Sequence, residues 1–293
     1  MLKAASALER TGSGIVHAGS PEFPSILDDI PDPPAILFLR GDLGRFSSIP
    51  SVAVIGSRRA SQYGLRAARA LASGIASRGV GIVSGMARGI DGEAHRGCLE
   101  VGGSTIAVLG CGIDVVYPRE HAGLAEEIAA NGALVTEFPP GTRPEAFNFP
   151  RRNRLISGFS RALVVVEAGD RSGTMITVDA ALEQGRDVFA VPGEITRTGS
   201  RGTNRLLREG AMVATCPGDI LESLGITDEP SSGGDPQASC GDPVTDALTR
   251  GPAHFDELAG STGMEAPELQ ARLLMLEMSG RIVRRPGGFY TLP

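Results

Sequence analysis

Tryptophan is absent from this 293-residue chain and aromatic residues make up only 4% of it. A nucleic-acid platform built from many stacked rings is therefore not expected. Lysine occurs once, at Lys3, and no G-x-x-x-x-G-K-[ST] phosphate loop is present. A full G-x-G-x-x-G is also missing: Gly110-Cys111-Gly112 begins one, but Val115 stands where its last glycine belongs. Neither H-E-x-x-H nor G-x-S-x-G occurs, so the motifs of zinc proteases and serine hydrolases are lacking. The four cysteines, Cys98, Cys111, Cys216 and Cys240, form no CxxC pair and have no histidine at zinc spacing. They read as free thiols that pack in a reducing compartment. Apolar runs such as Ala162 to Val166 fall far short of the ~20 residues that cross a bilayer. No charged n-region followed by an apolar h-region opens the chain, so no signal peptide is expected. These absences lead to the expectation of a cytoplasmic protein with no membrane partner, no metal, no cofactor and no catalytic residue.

What is present is glycine, 40 residues or about 14% of the chain, against a usual ~7%. The glycines fall at the ends of apolar runs, where tight turns need them. Net charge is −6, but it is unevenly spread: −2 over residues 1–50, +1 over 51–225 and −5 over 226–293. An anion site would therefore be a local cluster in the middle segment, built from Arg, whose planar fork suits phosphate.

The chain divides by composition. Residues 1–50 form a Pro-rich N-terminal lead-in that ends in an expected strand, Ala35 to Arg40. Residues 51–226 alternate short apolar runs with helical stretches. The runs are Val52–Ile55, Val80–Val83, Thr105–Leu109, Ala133–Thr136, Ala162–Val166 and Asp187–Val191. Several are apolar throughout, which suits parallel strands buried on both faces. Helical stretches such as Gly64 to Arg78 and Leu124 to Ala130 lie between them, so the pattern predicts a doubly wound, mostly parallel α/β sheet. Residues 227–242 are polar and rich in Gly, Pro and Ser, the composition of a linker. Residues 243–293 predict a helix at Ala253–Ala259, a second at Glu268–Met278 and a hairpin from Arg281, which together make a winged-helix pattern. The second helix offers Leu269, Leu273, Leu276 and Met278 to one face.

In an open parallel sheet, ligands bind beyond the carboxyl ends of the strands. The residues there are Gly56-Ser57-Arg58-Arg59, then Ser84-Gly85 with Arg88, then Gly110 leading to Tyr117-Pro118-Arg119, then Arg151-Arg152-Asn153-Arg154, and Ser172-Gly173-Thr174. Gly and Ser turns leave backbone N–H groups pointing outward, and a helix N-terminus adds partial positive charge, so each combination with Arg is an anion site. His95 and His121 lie in helical stretches as packing or capping residues, and Asp91 is expected to cap its helix.

These segments together resemble the DNA-processing protein DprA (Smf) family. The likeness rests on Val54-Ile55-Gly56-Ser57-Arg58, on Ile82 through Asp91 and on Ala107-Val108-Leu109-Gly110. It continues through Phe149-Pro150-Arg151-Arg152-Asn153-Arg154-Leu155-Ile156-Ser157-Gly158 and through Val166-Glu167-Ala168 followed by Ser172-Gly173-Thr174. It runs in order from about Pro21 to Leu224. The resemblance implies an extended Rossmann-like fold that binds single-stranded DNA, acts in natural transformation, protects incoming strands and loads the RecA recombinase. It also implies a homodimer that is not an enzyme. By the same resemblance the DNA pocket uses Gly56, Ser57 and Arg58, with Arg119 where a lysine is common, and the 151–154 segment nearby.

Two departures follow. Only Leu2 to Thr11 precede the lead-in where many members carry a small helical domain. The expected recognition helix of the winged-helix part carries Glu265, Glu268 and Glu277 against Arg272, which argues against duplex binding and for a protein-contact role. The alternative reading is a nucleoside-monophosphate phosphoribohydrolase-like enzyme, for which Ser172-Gly173-Thr174 with Glu183 is a loose echo. Met175, Ile176 and Thr177 stand where that chemistry would want its carboxylate.

Overall fold

The computed structural model describes residues 2–170, 172–226, 243–248, 251–264, 266–278, 282–285 and 288–291. The 227–242 segment read as a linker, with Cys240 in it, lies outside these, as do Arg171, Glu265 and the first residues of the C-terminal hairpin turn. The chain forms two compact units, 1–228 and 229–293.

The larger unit opens with α1 (Leu2–Thr11), β1 (Gly14–His17), β2 (Ile36–Gly41) and the single-turn α2 (Gly44–Ser47). The repeating part follows as β3 (Ser51–Ile55), α3 (Gln62–Ala76), β4 (Gly81–Ser84), α4 (Ile90–Glu100), β5 (Thr105–Val108), α5 (Ala122–Asn131) and β6 (Ala133–Thr136). It continues with α6 (Asn148–Gly158), β7 (Ala162–Val165), α7 (Thr174–Glu183), β8 (Asp187–Ala190), α8 (Arg201–Arg208), β9 (Met212–Val213) and α9 (Pro217–Ser223). All nine strands form one sheet in the order β1-β2-β6-β5-β4-β3-β7-β8-β9. The seven from β6 to β9 are parallel, and β2 and β1 extend the β6 edge antiparallel. The lead-in thus contributes two strands to the main sheet.

The apolar runs become strands because both faces of the sheet are covered. Ala53, Ile55, Leu163 and Val165 point into a core shared with Leu155, Phe159 and Val178 of the helices on one side. Val52, Val54, Ala162 and Val164 point the other way, onto Leu71, Ile75, Ile90 and Cys98. Leu109 and Leu134 pack with Leu124 and Ile128 of α5 in a third cluster. The chain builds β3 to β6 outward in one direction, then returns to place β7 on the other side of β3. That reversal puts a switch point between β3 and β7, where their connections leave in opposite directions and open a crevice.

The smaller unit holds α10 (Pro243–Leu248), β10 (Ala253–His254), α11 (Phe255–Thr262), α12 (Ala266–Met278), β11 (Val283–Arg285) and β12 (Phe289–Thr291). Its own core is Val244, Leu248, Leu258, Leu269, Leu273, Leu276 and Ile282. Here the structure corrects one expectation. Ala253 and His254 are strand and not helix, because they pair with Tyr290 and Phe289 of β12. The helix begins one residue later: Asp256 N–H donates to His254 Nδ1 at 3.4 Å, and His254 N–H donates to the Glu257 carboxylate at 3.0 Å, a reciprocal cap.

Candidate nucleic-acid interface

The crevice at the β3/β7 switch point is a cavity of about 610 Å³. Its walls come from the turn after β3 (Gly56, Ser57, Arg58, Arg59), the start of α6 (Phe149, Arg152, Asn153) and the entry to α7 (Ser172, Gly173, Thr174). A smaller cavity of about 260 Å³ adjoins it, shares Arg58, Arg59, Tyr117 and Phe149, and adds Gly85, Arg88 and Gly110. Twelve of the sixteen residues expected at the site from sequence therefore line one continuous depression.

The β3 turn is tightly fixed. Ser57 N–H donates to Glu167 O at 2.7 Å, and Ser57 Oγ accepts from Arg59 N–H at 3.1 Å. A Cβ on Gly56 would lie 2.7 Å from Ile90 Cγ1 and 2.8 Å from Glu167 O, so only glycine fits. Arg58 and Arg59 then leave the turn exposed, with no ion pair among the described residues. The Arg58 guanidinium carbon stands 4.8 Å from the Phe149 ring centroid, and the Phe149 ring lies 5.7 Å from that of Tyr117. On the opposite wall Ser172 Oγ accepts from Thr174 N–H at 3.2 Å and donates to Thr174 Oγ1 at 2.9 Å, which shapes the open N-terminus of α7.

Arg152 plays a different part from the one its sequence position suggests. It is 3% exposed, and its guanidinium donates to Val108 O and, at 3.0 Å, to Gly85 O. It therefore ties the loop after β4 and the end of β5 to the second turn of α6. A Cβ on Gly85 would fall 2.6 Å from Arg152 Nη2 and 2.8 Å from Asp91 Oδ2, so glycine lets the cation and the carboxylate face each other. Burial pushes the Arg152 pKa down to about 10, and Asp91 opposes that shift. Burial raises the Asp91 pKa, and Arg152 opposes it in turn. Asp91 is not the helix cap expected: Gly89 at φ +77° holds that position, and Asp91 in the first turn accepts from Ala87 N–H at 3.4 Å. In the same loop Met86 takes φ +53°, the one non-glycine with positive φ among the described residues, and His121 Nδ1 donates to its carbonyl at 3.0 Å.

Four expected residues stand elsewhere. Ser84 is fully buried and its hydroxyl donates to Val54 O at 2.6 Å, a strand-to-strand tie with no face on the rim. Arg154 turns to the other side of α6, where Nε pairs with Asp32 at 2.7 Å and Nη2 with Glu137 at 2.6 Å. Arg151 lies over the Phe138 ring at 5.7 Å, outside the cavity lining. Arg119 is exposed and follows Pro118 at the edge of the smaller cavity without lining it. Arg88 does line the smaller cavity, but Glu120 occupies its Nε. That bond draws the Glu120 carboxyl down to about 2. Tyr117 and Phe149 are not among the residues expected at the site from sequence; the signal for them is the repeated aromatic-Pro-Arg order, Tyr117-Pro118-Arg119 and Phe149-Pro150-Arg151.

Among the described residues no group of three or more His, Cys, Asp or Glu side chains stands close enough to hold a metal ion. No helix among them is long and apolar enough to cross a membrane. Burial raises the thiols of Cys98 and Cys111 to about 12 and about 11, so both stay protonated packing groups. Glu183 is exposed on the last turn of α7, whose first turn lines the cavity. Thr177 is the cavity-lining residue of α7 nearest to Glu183, and the six-residue rise between them is about 9 Å, more than a glutamate side chain spans.

Fold and site define a Rossmann-like protein with an arginine- and aromatic-lined cavity at its switch point. The chain belongs to the DNA recombination-mediator protein A (DprA, Smf) family, whose model matches residues 14–225, and the DprA winged helix domain matches residues 228–288. It is 42% identical to protein Smf of Escherichia coli K12 over 97% of this chain and 79% of that one. It is 43% identical to the DNA processing protein DprA of Streptococcus pneumoniae R6, over 68% of this chain and 70% of that one. The X-ray structure of DprA from S. pneumoniae superposes with TM-score 0.70 at 39% identity, covering 74% of this chain and 77% of that one. A Helicobacter pylori DNA processing protein A, described for its single-stranded DNA binding mode, superposes with TM-score 0.66 at 30% identity, covering 72% of this chain and 95% of that one.

Proposed function

We propose that the larger unit binds single-stranded DNA in the switch-point cavity. Arg58 and Arg59 would meet phosphates, the N-terminus of α7 would receive a further phosphate, and Tyr117 and Phe149 would stack bases. The observation that carries this reading is the pairing of unpaired arginines with exposed ring surface in one open depression. That combination suits a flexible strand, whose phosphates and bases are both accessible, better than a duplex, whose bases are stacked inside. The H. pylori relative's single-stranded DNA binding supports the same reading.

Within that reading the protein is a non-catalytic strand carrier of DNA transformation. It works as a homodimer that protects the strand and passes it to the RecA recombinase. Two pockets on one strand would make the second contact intramolecular and raise avidity by about 10²–10⁴. The cavity lining offers one carboxylate, Asp91, and it is buried against Arg152, which disfavours a hydrolase reading. A gel shift comparing single-stranded DNA, duplex and nucleoside monophosphates tests the proposal. Tight binding of the single strand alone, with no base released from the monophosphates, is expected. Preference for duplex would refute it, and so would base release abolished by Glu183→Gln.

A further inference from the structure

A third cavity lies on the same rim, on the far side of Glu167. It measures about 470 Å³, and Ser61, Tyr63, Pro192, Glu194, Arg197 and Ser200 are among the residues that line it. We propose that it is a second, base-accepting subsite that takes the strand as it leaves the switch-point cavity. This inference rests on the single-stranded DNA reading and extends it.

Glu167 links the two places. Its carbonyl accepts from Ser57 N–H at 2.7 Å, and its carboxylate accepts from Ser61 N–H at 3.1 Å and Ser61 Oγ at 2.6 Å. Ser57 lines the main cavity and Ser61 lines this one. Four residues of chain reach at most about 14 Å, a span of a few nucleotides, so one short strand can occupy both.

The chemistry of the walls favours a base over a phosphate. Tyr63 is 48% exposed, and its hydroxyl donates to Pro192 O at 3.2 Å, which pins the ring while half of it stays in solvent. Ile195, on the loop after β8, follows the lining residue Glu194 without lining the cavity itself, and at 86% it is the most exposed large apolar side chain among the described residues. The two offer apolar surface to a planar ring and gain from covering it. Glu194, held by Thr196 Oγ1 at 2.6 Å, repels a phosphate but accepts from the N–H edge of a base. Arg197 is exposed with no ion pair among the described residues, and it supplies the cation for the adjoining phosphate.

The test is fluorescence anisotropy of the full chain with labelled oligo-dT of about two and about fifteen nucleotides, the shorter too small to span the ~14 Å between the subsites and the longer able to fill both. Tyr63→Ala weakens the long oligonucleotide about tenfold and Ile195→Ala about threefold, while neither changes the short one. Tyr63→Phe keeps the ring and keeps the affinity. The exposed position of Ile195 makes its variant independent of folding. Unchanged long-strand affinity in both alanine variants, with Arg58→Ala weakening both lengths, overturns the subsite and leaves the main reading standing. Equal loss on short and long strands overturns it as well. If Arg58→Ala changes neither length, the main reading fails and the subsite falls with it.

Discussion

Arginines two positions apart in α6 do unrelated work. Residues i and i+2 are about 200° apart around a helix, so Arg152 points under the cavity floor while Arg154 points to Asp32 and Glu137. The useful cations are those with no carboxylate partner, and Arg88 is excluded from that group by Glu120. Glu120→Gln should release Arg88. Single-strand affinity should rise about threefold and the slope of log K against log salt should steepen by about 0.7, one extra phosphate. The pair is exposed and contributes little to stability, so the melting point should hardly move. A salt-series titration of wild type and variant checks this, and identical slopes would show that Arg88 meets no phosphate. His95 makes a second residue-scale prediction. It is fully buried, its Nδ1–H donates to Thr105 Oγ1 at 2.8 Å, and Nε2 has no partner. Burial lowers its pKa from 6.5 to about 3. Between these values the unfolded chain binds a proton that the folded chain refuses. Stability is therefore intact above pH 6.5 and falls as pH drops towards 3, by up to about 1.4 kcal/mol per pH unit. Urea midpoints at pH 7 and pH 5 should show this loss in wild type and a shallower one in His95→Gln; parallel losses would contradict it.

The turns that follow the strands set the shape of the site. A Cβ on Gly110 would meet the Phe149 ring at 2.7 Å, and a ring can swing aside. Gly110→Ala should therefore displace Phe149, lower strand affinity about three- to tenfold and leave the melting point nearly unchanged. At Gly56 the obstacle is the Glu167 carbonyl and the β-branched Ile90, so Gly56→Ala should instead destabilise the fold by about 1–3 kcal/mol. Thermal melts and binding titrations on the pair check the contrast, and equal melting points would defeat it. The same turns explain what was legible in the sequence. Strands β3 to β8 could be read because burial on both faces makes them short apolar runs. β9, two exposed residues, and β1, with only Val16 buried, carry no such pattern; pairing with a neighbour makes them strands. The Gly-Ser-Arg turns were legible because the switch-point rule names their location before any contact is known. Tyr117 and Phe149 were not, because their meeting depends on how α6 packs against the loop after β5. Ser84 misled because a serine at a strand end reads as rim whether its hydroxyl faces solvent or, as here, Val54 O.

At the scale of the molecule the two units own separate cores, and those of the sheet lie wholly within 1–228. A chain ending at residue 228 should unfold cooperatively and bind a single strand within about threefold of the full chain. A non-cooperative melt, or a tenfold loss of affinity with folding intact, would show that the smaller unit takes part. On α12 of that unit, Leu274 and Met275 are 58% and 66% exposed and Glu277 is exposed too, a face poorly suited to a phosphate backbone. On the proposed function, this acidic protein holds a single strand through a local arginine rim, with Arg58 at its centre. Anisotropy titration of a labelled single strand across a salt series, in wild type and Arg58→Ala, tests it most directly. With about 3–4 phosphates neutralised, the wild-type slope of log K against log salt should be about −2 to −3, and Arg58→Ala should bind more weakly with a slope flatter by about 0.7. Wild-type affinity and slope in the variant would contradict the account.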